Sequence, residues 1–222
     1  MSENLFLAIS GLIGAGKTTL ATALGVVTRL KVFYEPVVQN AFLEDFFRDM
    51  KRYSFPLQIY LLNNRFRQQQ QIIWSGQGGI VDRSIYEDAI FCKVLYEDGM
   101  MEDREYETYV NLFNNMSNFI RKPDFIVHLD VSPEQSLERI KKRSRNMEST
   151  ISLDYLKKLH NGYEDFIGKI SKTIPVLRID WKKYGSPIEM AQVIKEKHES
   201  LKQIIDVNLE VEMKRISQKK KK

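Results

Sequence analysis

The chain has 222 residues, 43 % of them apolar and 28 % charged, which suits one globular domain and excludes collagenous, fibrous and wholly disordered classes. Its net charge of +5 belongs to the C-terminus: six Lys and Arg and no acid fall between Met213 and Lys222, so the rest of the chain carries −1. The single cysteine, Cys92, excludes an intrachain disulfide, and no stretch approaches the ~18–20 apolar residues of a membrane helix.

In chain order, the first apolar run is Leu5–Ser10, too short for a helix and bounded by polar residues. It leads into Gly11-Leu12-Ile13-Gly14-Ala15-Gly16-Lys17-Thr18, which fits G-x-x-x-x-G-K-[ST]. Glycines let backbone N–H groups turn inward around phosphate oxygens, and the helix that follows points its positive end at the same charge. Gly11, Gly14, Ala15, Gly16, Lys17, Thr18 and Thr19 are therefore the candidate ATP-binding residues. Lys17 would reach the terminal phosphates and the Thr18 hydroxyl would ligate Mg²⁺. The first helix should run from this turn to about Leu30. A second run, Lys31–Tyr34, ends at Glu35-Pro36-Val37. The proline bars immediate helix, and a carboxylate at the strand end could take the proton of a hydroxyl nucleophile or simply be solvated.

Ala41–Lys51 and Pro56–Trp74 have helical spacing. Phe42, Phe46, Phe47, Phe55 and Tyr60 read mainly as core, with at most one or two facing a ligand. The third run, Gly79–Val81, ends at Asp82-Arg83-Ser84. Asp82 offers a hard oxygen to Mg²⁺ and Arg83 a guanidinium to a phosphoryl group; a local ion pair is the plainer alternative. Tyr86–Tyr96 and Arg104–Ile120 are expected helices, followed by the run Phe125–Leu129. Ser132-Pro133-Glu134-Gln135 is a helix start with Ser as N-cap and Pro in the first turn. That helix carries Arg139 and Arg143 on one face, with Arg145 just beyond and a polar segment to Thr150. A basic helix leading into a polar loop suits a closing lid over about 139–150, though alone it could be a solvated basic face. Leu153–Ile170, the run Val176–Ile179 and Ile188–Leu201 follow. His128, His160 and Cys92 lack metal-ligand spacing.

Short buried runs alternating with helices give an α/β fold, and the glycine motif makes it a P-loop NTPase-type three-layer sandwich: a parallel five-stranded sheet flanked by helices, with a lid. In such sheets ligands bind at the carboxyl ends of strands. The glycine loop, Glu35 and Asp82-Arg83 all follow strands, so they should share one edge. Residues 1–205 form the expected domain and 206–222 a basic tail. We expect a cytoplasmic protein with no cleaved leader, no membrane contact and no nucleic acid on its body, the tail leaving a nuclear option open.

Taken together, Gly11–Thr18, Glu35-Pro36-Val37, Phe55-Pro56-Leu57-Gln58-Ile59-Tyr60, Asp82-Arg83-Ser84-Ile85-Tyr86-Glu87-Asp88 and the run from Arg139 to Glu148 resemble the deoxynucleoside kinase family in order and spacing. The resemblance implies ATP-dependent 5′-phosphorylation of a deoxynucleoside, with Glu35 as general base. Gln58 would read the base edge, Arg65 and Asp88 would surround the base, and Glu148 would bind the sugar 3′-hydroxyl. Lys17, Arg83, Arg139, Arg143 and Arg145 would act on the phosphoryl group. Asp82 would handle Mg²⁺, and the protein would be a homodimer. Two positions depart from the family. Phe47 stands where a tyrosine usually assists the 3′-hydroxyl, unless Tyr53 or a neighbour substitutes. Asp82 stands where many members have Glu; the shorter acid occurs in bacterial-type purine deoxynucleoside kinases, which Asn40–Tyr60 also resembles. Deoxyadenosine or deoxyguanosine is therefore the expected substrate. A nucleoside monophosphate kinase and a catalytically silent structural relative are the alternatives.

Overall fold

The computed structural model describes residues 4–35, 40–143, 150–181 and 186–198. Strands β1 (Phe6–Gly11), β2 (Val32–Phe33), β3 (Gly79–Asp82), β4 (Phe125–Asp130) and β5 (Val176–Asp180) form one five-stranded sheet in the order β2-β3-β1-β4-β5. Every pairing is parallel. The central β1 is buried throughout, as a strand covered on both faces must be. Its side chains alternate between two cores: Leu7 and Ile9 join Leu20, Leu24 and Trp181 on one face, while Phe6 and Ala8 join Phe33, Ile72 and Ile126 on the other. Each such buried aliphatic side chain contributes about 1.5–3 kcal/mol.

Helix α1 (Lys17–Thr28) covers the first face together with the helix over residues 187–198, here α8. The other helices are α2 (Leu43–Arg48), α3 (Met50–Ser75), α4 (Asp88–Glu97), α5 (Asp103–Ser117), α6 (Pro133–Arg143) and α7 (Leu153–Ile170), with a 3-10 turn at Ile85–Glu87. A third core between α3, α4, α5 and α7 contains Leu57, Leu62, Leu95, Tyr109, Leu156 and Tyr163. Gly162 allows α7 to approach α4: a Cβ there would lie 2.6 Å from Ile90 Cγ2.

The structure differs from the sequence reading around Asp49. The first aromatic segment ends at Arg48, and the next helix begins at Met50, six residues before Pro56. Asp49 breaks the helix at φ −144°, ψ 83°, and its side chain accepts the Arg52 N–H at 3.1 Å. It is thus the N-cap of α3, with Pro56 inside the helix. The expected loop at 144–149 lies outside the described residues, as do Arg145, Glu148 and the 206–222 tail.

Candidate active site

The loop after β1 turns three times through conformations that favour glycine, with φ 142° at Gly11, 78° at Gly14 and 95° at Gly16. At Gly14 a Cβ would also meet Ile140 Cγ1 at 2.9 Å and Ser136 O at 3.0 Å, so α6 rests directly on the loop. Gly16 caps α1 without a side-chain bond, leaving the first N–H groups of the helix to a ligand. Lys17 folds back and donates from Nζ to Gly11 O (3.0 Å) and Leu12 O (2.8 Å). Burial, with the Arg83 charge behind it, pushes its ammonium down to about 7 against the pull of Asp82, Glu87 and Glu35.

The ends of β2 and β3 bring the acids. Thr18 Oγ1 donates to Asp82 Oδ2 at 2.5 Å, and Asp82 Oδ1 is buried with no hydrogen-bond partner among the described residues. Burial raises the Asp82 pKa, while Lys17 and Thr18 oppose it. A hydroxyl and a carboxylate with one orphaned oxygen, beside a phosphate cradle, are the hard oxygen donors that suit Mg²⁺. Glu35 Oε1 accepts from Arg65 Nη2, and its Oε2 lies 3.6 Å from Arg83 Nε. Burial alone would raise the Glu35 pKa; Arg65, Arg83 and Lys17 outweigh it and hold the carboxyl below its ordinary value.

Arg83 adopts φ 77°, a left-handed backbone that costs a non-glycine residue about 1–3 kcal/mol. Such strain persists where neighbours over-determine it. Here the Arg83 N–H donates to Ile9 O at 3.0 Å, and the guanidinium sits 4.6 Å from the Phe91 ring centroid and bonds Tyr163 OH at 2.5 Å. Burial opposes its charge, but Tyr163, Glu35, Glu87 and Asp82 keep it protonated above the ordinary range.

These groups line one cavity of about 500 Å³. Gly14, Gly16, Lys17, Thr18 and Thr19 form one end, with Asp82, Arg83, Arg139 and Arg143 around it. Gly11 and Ala15 shape the loop without lining the cavity. Arg139 also braces the loop, donating to Ala15 O (3.3 Å) and Trp181 O (2.6 Å). The other end is lined by Phe46, Phe47 and Leu57, with Gln58, Arg65 and Asp88 among them, and Phe91 lines the cavity beside Arg83. Gln58 and Arg65 lie two turns apart on the buried stripe of α3. Arg65 Nη1 pairs with Asp88 Oδ1. Gln58 Oε1 and Asp88 Oδ2 are buried with no hydrogen-bond partner among the described residues. Of the aromatics the spacing exposes, Phe46 and Phe47 reach the cavity; Phe42, Phe55, Tyr60 and Tyr53 are not among its lining residues.

The motifs did not single out Leu43, Leu61, Phe91 or Tyr155, which also line the cavity, nor Tyr163 and Glu87 behind it. Tyr155 and Tyr163 share the buried stripe of α7 with Leu156, Leu159 and Ile167, so their periodicity is that of core. For Glu87 the signal was its place in the Asp82–Asp88 run. No helix among the described residues is long and apolar enough to cross a membrane.

A phosphate cradle, a carboxylate at a strand end and a cavity lined by both polar and apolar groups together equip the site for phosphoryl transfer to an alcohol. Comparison with known proteins agrees. The chain is 55 % identical over 206 residues to a deoxyadenosine kinase of Dictyostelium discoideum, covering 93 % of this chain and 84 % of that one. It is 37 % identical over 185 residues to a deoxyadenosine/deoxycytidine kinase of Bacillus subtilis, covering 82 % and 85 %. Deoxyadenosine kinase of M. mycoides with bound dCTP superposes with a TM-score of 0.78 at 31 % identity, over 88 % of this chain and 100 % of that one. The same enzyme with bound dATP gives 0.77, over 86 % and 100 %. The family model for deoxynucleoside kinase matches residues 7–217, and with the glycine loop, Glu35 and Asp82-Arg83 gathered on one edge of a parallel sheet, the chain belongs to the deoxynucleoside kinase family.

Proposed function

We propose that this kinase transfers the γ-phosphoryl group of ATP to the 5′-hydroxyl of a purine deoxynucleoside, and that deoxyadenosine is taken at least as well as deoxyguanosine. The carrying observation is the pair of unpartnered buried acceptors, Gln58 Oε1 and Asp88 Oδ2, at the apolar end of the cavity. Both can accept from the exocyclic or ring N–H groups of a base, and neither is retained without a partner at low cost. The 55 % identity to a deoxyadenosine kinase supports the purine choice.

Glu35 acts as the base. Its Oε1 is engaged by Arg65, which leaves Oε2 for the 5′-hydroxyl proton. The hydroxyl oxygen bonds the γ-phosphorus, the bond from that phosphorus to the β–γ bridging oxygen breaks, and its electron pair leaves with ADP. The loop N–H groups, Lys17 and Arg83 hold the developing charge, with Arg143 and Arg145 closing from the lid. Arg139 braces the loop from the same helix. Thr18 and Asp82 would hold Mg²⁺, which supplies charge neutralisation at the phosphate oxygens. Phe47 offers the sugar no hydrogen bond, so Glu148 carries the 3′-hydroxyl. The protein works as a cytoplasmic homodimer in nucleotide salvage.

The test is an ATP-dependent assay with deoxyadenosine, deoxyguanosine, deoxycytidine and thymidine, each beside its 5′-monophosphate. The expected result is product from free purine deoxynucleosides with the highest kcat/KM. Product from a monophosphate alone would move the acceptor one phosphate along and remove Glu35 as base.

A further inference from the structure

Glu87 is fully buried and does not line the cavity. A carboxylate taken out of water persists only where hydrogen bonds replace its hydration. Its two oxygens do separate work. Oε1 accepts the Ser84 N–H at 2.9 Å and Ser84 Oγ at 3.2 Å, closing the capping box of the 3-10 turn. That half needs no charge, because glutamine serves in capping boxes as well. Oε2 points away from the turn. It accepts the Tyr163 O–H at 2.8 Å and lies 3.5 Å from Gly11 N, the first glycine of the phosphate loop. The Tyr163 oxygen in turn accepts from Arg83 Nη1 at 2.5 Å.

We infer that Glu87 and Tyr163 are positioning residues for phosphoryl transfer: the buried carboxylate aims Arg83 through a neutral phenol and ties that aim to the phosphate loop. This rests on the role given to Arg83 above. The relay has a chemical reason. Glu35 Oε2 already lies 3.6 Å from Arg83 Nε, and a second carboxylate placed directly on the guanidinium would satisfy more of its donors and offset the charge owed to the phosphoryl oxygens. Tyr163 accepts once and donates once, so it fixes Arg83 while keeping the anion one side chain away. Burial, helped by the Glu87 charge and opposed by Arg83, keeps the phenol protonated and able to donate. Phe91 closes the other side, 4.6 Å from the Arg83 guanidinium and edge-on to Tyr163 at 6.3 Å. Arg83 thereby has one rotational setting before any ligand arrives, and its distance to the loop is set by Glu87.

The test is a double-mutant cycle on the full chain with ATP and deoxyadenosine. Tyr163→Phe keeps the ring and its packing. It is expected to lower kcat about tenfold or more and leave the deoxyadenosine KM within about threefold. Arg83→Lys should lower kcat on its own. Adding Tyr163→Phe to it should then cost less than about twofold, because the phenol acts through the guanidinium. A Tyr163→Phe kcat at the wild-type level beside an impaired Arg83→Lys would overturn the inference and leave the proposed function standing. So would a loss of equal size in both backgrounds, which packing alone would give. A wild-type kcat for Arg83→Lys would remove Arg83 from the chemistry and the inference with it. Should Tyr163→Phe fail to fold, Glu87→Gln runs the same cycle: it keeps the capping box and puts an N–H where Oε2 accepts, with the same kcat-specific loss expected.

Discussion

Lys17 has a pKa of about 7 in the ligand-free protein against an ordinary 10.5, because burial removes its water and Arg83 repels its charge. The sign of the linkage follows. Between about 7 and 10.5 the unfolded chain holds a proton that the folded chain has released, so this group's contribution to stability rises with pH across that window. Triphosphate reverses the local balance, since its oxygens replace the lost hydration and favour the charged ammonium. ATP binding at pH 8 should therefore take up a proton, approaching one per site, and affinity should weaken as pH rises further. Calorimetry of ATP binding in two buffers of different ionisation enthalpy measures this; an enthalpy independent of buffer would contradict it. Glu35 is the opposite case, a carboxyl held low by Arg65, Arg83 and Lys17 against burial, and so ionised throughout the working range. Glu35→Gln keeps the shape and an acceptor for Arg65 but cannot take a proton. It should lower kcat by about 10²–10⁴ with little change in deoxyadenosine binding. Turnover near wild type would remove Glu35 as base.

At the scale of elements, Asp49 decides where two helices part. Its side chain takes the Arg52 N–H and its own backbone leaves the helical region, so α2 ends and α3 begins across one residue. Asp49→Ala should cost about 1 kcal/mol of stability. For a chain of this size that is about 2–4 °C in melting temperature. Gln58 and Arg65 lie beyond the first two turns of α3, so kcat should hold; a large loss of activity at unchanged stability would mean that the start of α3 has a role in the site. The break was hard to see in the sequence because Pro56 is the stronger local signal and marks a helix start in most settings. Tertiary packing of Leu57, Leu62 and Ile72 carries α3 through it. The strands were legible for the converse reason: β1, β3 and β4, buried on both faces, read as short apolar runs. Lys17 was picked out by the glycine motif, and Glu35, Asp82 and Arg83 by their places at strand ends. Glu87 and Tyr163 were not, since their bond joins positions 76 residues apart and a buried tyrosine on a helix stripe has the signature of core.

Over the whole molecule, the cavity sits where the sheet's carboxyl edge meets the helical core, and both its ends contain buried polar atoms without partners among the described residues. Asp82 Oδ1 lies at the phosphate end, Gln58 Oε1 and Asp88 Oδ2 at the other. A buried acceptor left without a donor costs about 1–3 kcal/mol. A ligand that supplies the missing donors recovers that cost and couples its binding to global stability. Deoxyadenosine at a hundredfold its dissociation constant should add about 2.7 kcal/mol. In a chain of this length that raises the melting temperature by about 5–11 °C. Gln58→Leu separates the two contributions. It removes an orphaned amide oxygen from the buried stripe of α3, beside Leu57 and Leu62, and should leave the free protein as stable as wild type or more so. It should also abolish most of the deoxyadenosine shift, because the base edge then faces carbon. The two changes have opposite signs, which simple damage to α3 would not produce. A Gln58→Leu protein that melts lower when free yet keeps the full deoxyadenosine shift would show that Gln58 is a core residue and that another group reads the base.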